Sequence, residues 1–228
     1  MNLKQTIMTS TNYLPPEDFK KLVNAIPLVT EYNNSKLLSV QKNNVPDPAG
    51  IQHCLWTQYC MGLRISETLS LDWSDFNFER RILTLAHTKT GWKKCPKCKA
   101  KYINCDKCNG LGKIRTNQFT SIPPDYPYEW PKLEGKMYDY TRQLIWSYVK
   151  KAAVMANLEL GEQQDERYIE GAWTHLIRKS RAKMMIEKGA SEVMVKVKLR
   201  HTFTVTERYT KPDINALIKW EEENIGAG

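Results

Sequence analysis

The stretch MGLRISETLSLDW, Met61 to Trp73, decides how the chain is read. An apolar segment over 49–61 predicts a helix that stops near Gly62, and a second helix is expected from Ser66, with Leu69 facing inward. Arg64 falls between the two, just past a helix end, and Glu67 follows three residues later. Alone, such an arginine is a surface cation serving the helix dipole. It becomes a functional candidate only if other parts of the chain supply partners for the same chemistry.

Working outward, residues 15–26 predict a helix: proline starts it, acids fill its first turn, and Phe19, Leu22, Val23 and Ile26 form an apolar stripe. Residues 27–48, rich in Asn and Pro, give no clear assignment. FNFERRILTLAHTKT reads as strand, turn and strand, with Asn77 to Arg80 as the turn, and residues 113–123 alternate as a further strand. The Cys/Lys segment between these strands is therefore expected as an insertion at a hairpin tip. Helical periodicity returns over Asp139–Ala156, and 157–171 reads as a loop. Thr174 is a candidate cap for a helix running to Lys188 and stopping at Gly189. Ser191 and Asp213 are candidate caps for two more. The fold class is α+β, mainly helical, with a small antiparallel sheet.

The 228 residues suffice for one well-buried domain with a small appendage, and the 41% hydrophobic and 26% charged fractions are those of an ordinary globule. No apolar run approaches the roughly 20 residues that span a bilayer, and the N-terminus has no signal-type apolar core. No membrane partner and an intracellular location are expected: cytoplasm or nucleoid, or a host cell if the source is a virus or plasmid. The net charge of +9 is clustered. Residues 92–115 hold eight Lys/Arg against one Asp, and residues 175–211 hold ten against three Glu, while the remainder is slightly acidic. Such clustering points to a polyanion, nucleic acid before an anionic membrane. Two solvated basic faces would give the same composition.

Three further stretches belong with the first. HTKTG places Lys89 at a strand end, HLIR places His175 and Arg178 on one helix face, and LRHTFTVTERYT supplies His201 and Tyr209. Two arginines, a lysine, two histidines and a tyrosine are the residue types that transesterification of a phosphodiester needs. Arginine stays charged and donates two aligned bonds to non-bridging oxygens. Tyrosine, with a free pKa near 10, becomes a phenolate more readily beside cations. Lysine on a turn can protonate a leaving oxygen.

In order and surroundings these stretches resemble the tyrosine recombinase (phage integrase) family, from YLPPEDFKKLVNAI to the final helix. GLRISETLSLDW matches the first arginine motif, and HLIRKSRAKMMIEKG, ASEVMVKVKLRH and ERYT follow the C-terminal motif. The resemblance implies a catalytic-domain fold over 1–228, with residues 92–113 as an insertion within it. It implies that Arg64, Arg178 and His201 clamp the phosphate, Lys89 is the leaving-group acid and His175 assists proton transfer. Tyr209 would attack to give a 3′-phosphotyrosyl intermediate, with Glu67 supporting Arg64 and with neither ATP nor a catalytic metal. Family members carry a helical core-binding domain ahead of the catalytic one. The resemblance here begins near Tyr13, so that domain is expected to be absent, whether the chain is an excised domain or naturally minimal. Double-stranded DNA is the implied partner, with a tetramer of the full-length protein on DNA and a monomer for this chain alone. The chain departs from the pattern at Arg200, where the family usually has Gly, at Lys179, which replaces a common His, and in a segment from His201 to Tyr209 one residue shorter than usual. Type IB topoisomerase-like relaxation and a non-catalytic DNA-binding protein with a decayed site are the alternative readings.

Cys95, Cys98, Cys105 and Cys108 follow C-x2-C-x6-C-x2-C, a spacing in which each turn aims two thiolates at one ion. A structural zinc is expected, with no open coordination position. CDKCNGLG also resembles one copy of the zinc repeat of DnaJ-type chaperones, although a chaperone-like module leaves the arginine motifs unexplained. Cys54 and Cys60 are expected as reduced core residues. Lys93, Lys94, Lys97, Lys99 and Lys101 are candidate phosphate contacts on a loop that the knuckles stiffen.

Overall fold

The structure is a computed structural model and describes residues 13–36, 45–86, 92–99, 105–109, 111–127, 134–158, 166–201 and 213–225. Helix α1 (Pro16–Asn24) opens on two prolines and the acids Glu17 and Asp18, and buries Phe19, Leu22 and Val23. It ends at Ala25, and α2 (Ile26–Lys36) follows directly, so part of the unassigned Asn-rich stretch is helical. Helix α3 (Pro48–Met61) is capped by Asp47, whose carboxylate accepts from the Ala49 and Gly50 N–H groups at 3.2 Å. Buried residues line nearly its whole circumference, which identifies it as the central helix. Phe19 stacks on Tyr59 of α3 with centroids 4.1 Å apart, and Trp56 meets the same ring edge-on.

Past Gly62 the expected second helix is a single turn, α4 (Ile65–Thr68). A short 3-10 turn, Trp73–Asp75, leads into the sheet. Strands β1 (Phe76–Asn77), β2 (Ile82–Leu85) and β5 (Gln118–Ser121) form an antiparallel sheet in the order β1-β2-β5, with Phe76 opposite Leu83 and Ile82 opposite Ser121. Between β2 and β5 in sequence, β3 (Trp92–Lys94) and β4 (Lys113–Arg115) pair as a separate ribbon, with Lys94 opposite Lys113. The stretch 113–123 is therefore two strands in two sheets, not one. The chain breaks at Thr116–Asn117 because β4 pairs within the ribbon and β5 pairs with the domain's sheet.

Helix α5 (Arg142–Met155) starts at Thr141, whose hydroxyl accepts from Leu144 N–H at 3.2 Å. Helix α6 (Glu166–Glu187) overturns two expectations: 166–171 is helix rather than loop, and Thr174 lies inside the helix rather than capping it. Gly171 is the only poor helix former before Thr174, and a 22-residue helix packed on α3 and α5 tolerates it. Helix α7 (Glu192–Leu199) is capped by Ser191, and α8 (Ile214–Asn224) by Asp213, as the sequence predicts.

The apolar core is divided. A large cluster joins α1, α2, α3, the sheet, α5 and Ile177 of α6, while a smaller one joins Met184 and Met185 of α6, Val195, Val197 and Leu199 of α7, and Leu217 of α8. What ties the α7–α8 layer to the rest is charged. Arg181 of α6 is shut off from solvent, donates to Asp125 at 2.7 Å and 3.2 Å, and reaches Glu221 of α8 at 3.3 Å. Lys198 of α7, equally buried, reaches Glu221 at 2.8 Å and both the carbonyl and hydroxyl of Ser121 at 2.9 Å. The four charges balance in sign and every Lys198 ammonium proton is used, but Arg181 Nε and Glu221 Oε2 have no partner among the described residues, so the desolvation cost is offset only in part.

Candidate active site

The candidate site forms where the C-terminal ends of α3 and α7 meet. Gly62 ends α3 in the left-handed region, φ 60°, and a Cβ there would lie 2.8 Å from Leu199 Cδ2, so both the backbone and the close approach of the two helix ends favour glycine. The chain then turns through Leu63 into α4. Glu67, 3% exposed, takes the Arg64 backbone N–H on Oε2 and the Arg64 guanidinium on Oε1, both at 2.8 Å. This clamp holds the Arg64 side chain, which remains one-quarter exposed, at the mouth of the junction.

Helix α6 supplies the opposite wall. Arg178 donates from Nη1 to the Gly62 carbonyl at 2.6 Å and from Nη2 to the Leu199 carbonyl, satisfying acceptors left at the ends of α3 and α7. Its distance to Glu67 Oε2 is 3.7 Å. His175, one turn earlier, is exposed on the same face. After α7 the chain reverses at Arg200, φ 55° and ψ 40°, and His201 N–H bonds back to the Lys196 carbonyl at 2.9 Å, which fixes where the exposed His201 emerges. Arg200 itself turns inward. Its guanidinium reaches Glu67 Oε2 at 2.8 Å, Lys198 O at 3.0 Å and Gly62 O at 3.3 Å.

One carboxylate thus faces three guanidiniums. Burial works to raise Glu67, but the adjacent Arg200, the Arg64 N–H and the Arg64 guanidinium outweigh it and hold the carboxyl below its usual range. Burial, then Arg200 and Arg64, pull Arg178 down, with Glu67 opposing, yet a guanidinium remains charged at neutral pH. His175 and His201 are both lowered, first by burial and next by Arg178 and Arg64. Both histidines feel the same two arginines, so positive charge gathers where the ends of α3 and α7 meet α6.

Of the candidates chosen from the sequence, Arg64, Glu67 and Arg178 lie together, and His175 and His201 lie near enough to Arg64 and Arg178 to feel their charge. Lys89, Lys101 and Tyr209 lie outside the described residues. Sequence reading missed Arg200, Arg181, Lys198, Asp125 and Glu221 as structural partners. Three of these lie in the basic stretch 175–211, whose composition suggests a polyanion-binding face, but Arg178, Arg181, Lys198 and Arg200 point inward and are buried. The signal available was their position: Arg181 lies one helical turn from Arg178, and Lys198 and Arg200 follow the apolar residues of α7.

The ribbon β3–β4 carries a second cluster. The four sulfurs of Cys95, Cys98, Cys105 and Cys108 all lie within 4.8 Å of one another, with Cys95–Cys105 at 3.8 Å and Cys98–Cys108 at 3.6 Å. A tetrahedral site with metal–sulfur bonds of about 2.3 Å has sulfur–sulfur edges of about 3.8 Å, so the four thiolates fit one ion. The two knuckles repeat each other: the residues after the second cysteine of each, Lys99 and Asn109, both have φ 49°. Lys97 bonds Asp106 at 2.6 Å and ties one knuckle to the other, so its charge is compensated within the ribbon.

No helix among the described residues is long and apolar enough to cross a membrane. No protein-family model matches the chain, and no curated protein matches it. Solved structures do. The catalytic domain of bacteriophage HP1 integrase matches with a TM-score of 0.52 at 15% identity, over 95% of this chain and 98% of that one. The XerH site-specific recombinase bound to its difH substrate in a pre-cleavage complex matches with a TM-score of 0.50 at 15% identity, over 90% of this chain and 51% of that one. Its post-cleavage complex with palindromic difH matches with a TM-score of 0.50 at 15% identity, over 92% and 52%. The chain spans about half the length of XerH and nearly all of the HP1 domain. At this identity the likeness speaks for the fold, and the fold is that of a tyrosine-recombinase catalytic domain, mainly helical with a small antiparallel sheet.

Proposed function

We propose that the chain is a site-specific DNA strand transferase that cuts and rejoins double-stranded DNA through a 3′-phosphotyrosyl intermediate. The observation that carries this is that Arg64 and Arg178 flank Glu67, with His175 and His201 close enough to both arginines to be lowered by them. The scissile phosphate sits over Arg64, with Arg178 beneath it and His201 at its side. Arg64 and His201 donate to the non-bridging oxygens as charge builds in the transition state, and Arg178, seated on the Gly62 and Leu199 carbonyls, adds its positive charge. Tyr209 Oη attacks phosphorus, His175 assists removal of its proton, and the 5′ oxygen departs with a proton from Lys89. The phosphorus–oxygen bond energy is kept in the phosphotyrosine, so rejoining by the 5′ hydroxyl needs no ATP, and the arginines do the work a catalytic metal would otherwise do.

The four-cysteine cluster holds a structural zinc that stiffens the ribbon beyond β2. Four thiolates leave the ion no open position, so it supplies a crosslink and no step of the reaction. Lys93, Lys94, Lys99 and Lys101 then lie along the duplex backbone, adding affinity without reading sequence. On DNA the longer assembly is a tetramer, this domain alone is a monomer, and both are intracellular.

The test is a pool of random-sequence duplexes, each nicked just past the cleavage position so that a short 5′ fragment is lost and the adduct is trapped. A denaturation-resistant complex formed by the wild type and absent in Tyr209→Phe is expected. Adduct with plasmid relaxation at many sequences would favour a topoisomerase-like enzyme, and tight binding without adduct would favour a non-catalytic DNA-binding protein.

A further inference from the structure

Arg200 combines two unfavourable features. A side chain with a Cβ rarely adopts φ 55°, and a guanidinium only 3% exposed has lost nearly all its hydration. Such a residue persists when its surroundings over-determine it, and strain of this kind gathers at functional sites. Here the surroundings are Glu67 Oε2, the Gly62 carbonyl and the Lys198 carbonyl.

Glu67 is the acceptor that matters. Oε1 is taken by the Arg64 guanidinium, while Oε2 takes the Arg64 N–H and Arg200, both at 2.8 Å. Arg178 approaches the same oxygen but stops at 3.7 Å and spends its two amino groups on neutral carbonyls instead. A carboxylate at hydrogen-bond distance would neutralise Arg178, and carbonyls do not.

We propose that Arg200 is a positioning residue: by occupying Glu67 Oε2 it keeps that carboxylate from closing on Arg178, which is left seated on two carbonyls with its charge available to the substrate phosphate. The role rests on the strand-transferase reading. Arg200 touches no reacting atom. It acts through Glu67 and through the Gly62 carbonyl that it shares with Arg178. Glycine suits the backbone at this position, so Arg200→Gly relieves the turn and leaves Oε2 held by the Arg64 N–H alone, freer to close the 3.7 Å gap to Arg178.

The experiment follows single-turnover cleavage of a trapped nicked duplex and equilibrium DNA binding in parallel, for wild type, Arg200→Gly and Arg200→Lys. Arg200→Gly is expected to bind DNA within about threefold of wild type and to cleave on the order of 10- to 100-fold more slowly, less than the loss for a group that contacts the transition state. Millimolar guanidinium chloride, against potassium chloride at equal ionic strength, is expected to restore part of that rate by refilling the vacated site. A lysine can serve only one of the three acceptors well, so Arg200→Lys is expected to be at least about threefold slow with unchanged binding. It decides the matter if the glycine variant does not fold. Wild-type cleavage by either variant, or a slow Arg200→Gly that guanidinium leaves slow, overturns the positioning role. A wild-type protein that forms no Tyr209-dependent adduct overturns the strand-transferase reading itself, and is told apart because every variant is then equally silent.

Discussion

Lys198 Nζ lies 2.8 Å from Glu221 Oε1 with both side chains closed to solvent, and this pair joins α7, which ends at the candidate site, to the last helix. Burial lowers the Lys198 ammonium to about 8, with Glu221 as the main opposing influence. Removing one partner leaves a buried charge unpaired. Glu221→Gln is expected to cost about 3–5 kcal/mol in urea unfolding. Adding Lys198→Met is expected to recover part of that loss, since it removes the stranded charge while Arg181 keeps Asp125. A double variant weaker than the single one by the full cost of a second lesion would contradict this account.

His53 of α3 gives the fold an acid-sensitive point. Its Nδ1 meets Tyr138 Oη at 2.7 Å and its Nε2 meets Tyr126 Oη at 3.1 Å, inside the main core. Burial pushes it from 6.5 to about 4. The folded pKa is thus below the unfolded one, so the unfolded chain takes up the proton first. Stability is fully present above about pH 6.5, falls as the pH drops towards 4, and is not lost further through this group below that. The shift corresponds to roughly 3 kcal/mol. Urea midpoints measured between pH 7 and pH 4 check it, and His53→Gln is expected to flatten the slope.

A metal held by the four cysteines would tie the ribbon together without touching the main core. Among the described residues the Cys cluster packs against Ile114, apart from the main core. Chelation, or Cys98→Ser, is expected to open 92–115 to trypsin while leaving helical circular dichroism nearly unchanged. Replacing 93–112 by a short turn is expected to lower the salt slope of DNA binding by roughly 0.9 for each phosphate that the ribbon neutralises. An unchanged slope would remove the ribbon from the DNA interface.

Arg64 is the exposed member of the arginine set, so its removal reports on direct phosphate contact. Arg64→Ala is expected to lower single-turnover cleavage by about 10²–10³-fold. Binding should weaken far less, because most affinity comes from many other phosphate contacts. Equal losses in binding and cleavage would mean that Arg64 serves ground-state affinity only.

Local patterns in the chain predict the caps at Ser191 and Asp213, the stop at Gly62 and the turn after Asn77, because each depends on a few adjacent residues. Arg64, Glu67, His175, Arg178 and His201 are legible because motif order carries them. The start of α6 is not, because a mostly polar segment with no clear apolar repeat carries no helical period to read. Arg200 and Lys198 read as outward charges in the sequence, since burial of a cation depends on Glu67 and Glu221, distant in sequence by 133 residues in the first case. Periodicity within one segment holds no record of such pairings.

The central claim is that residues from Arg64 to Tyr209 act on one phosphorus. Mass spectrometry of the trapped covalent complex, after nuclease and protease digestion, tests it most directly. The account predicts a nucleotide linked through its 3′ phosphate to Tyr209, formed by wild type and strongly reduced in Arg64→Ala at unchanged fold. A nucleotide on any other residue, or none at all on a protein that binds the duplex, would contradict it.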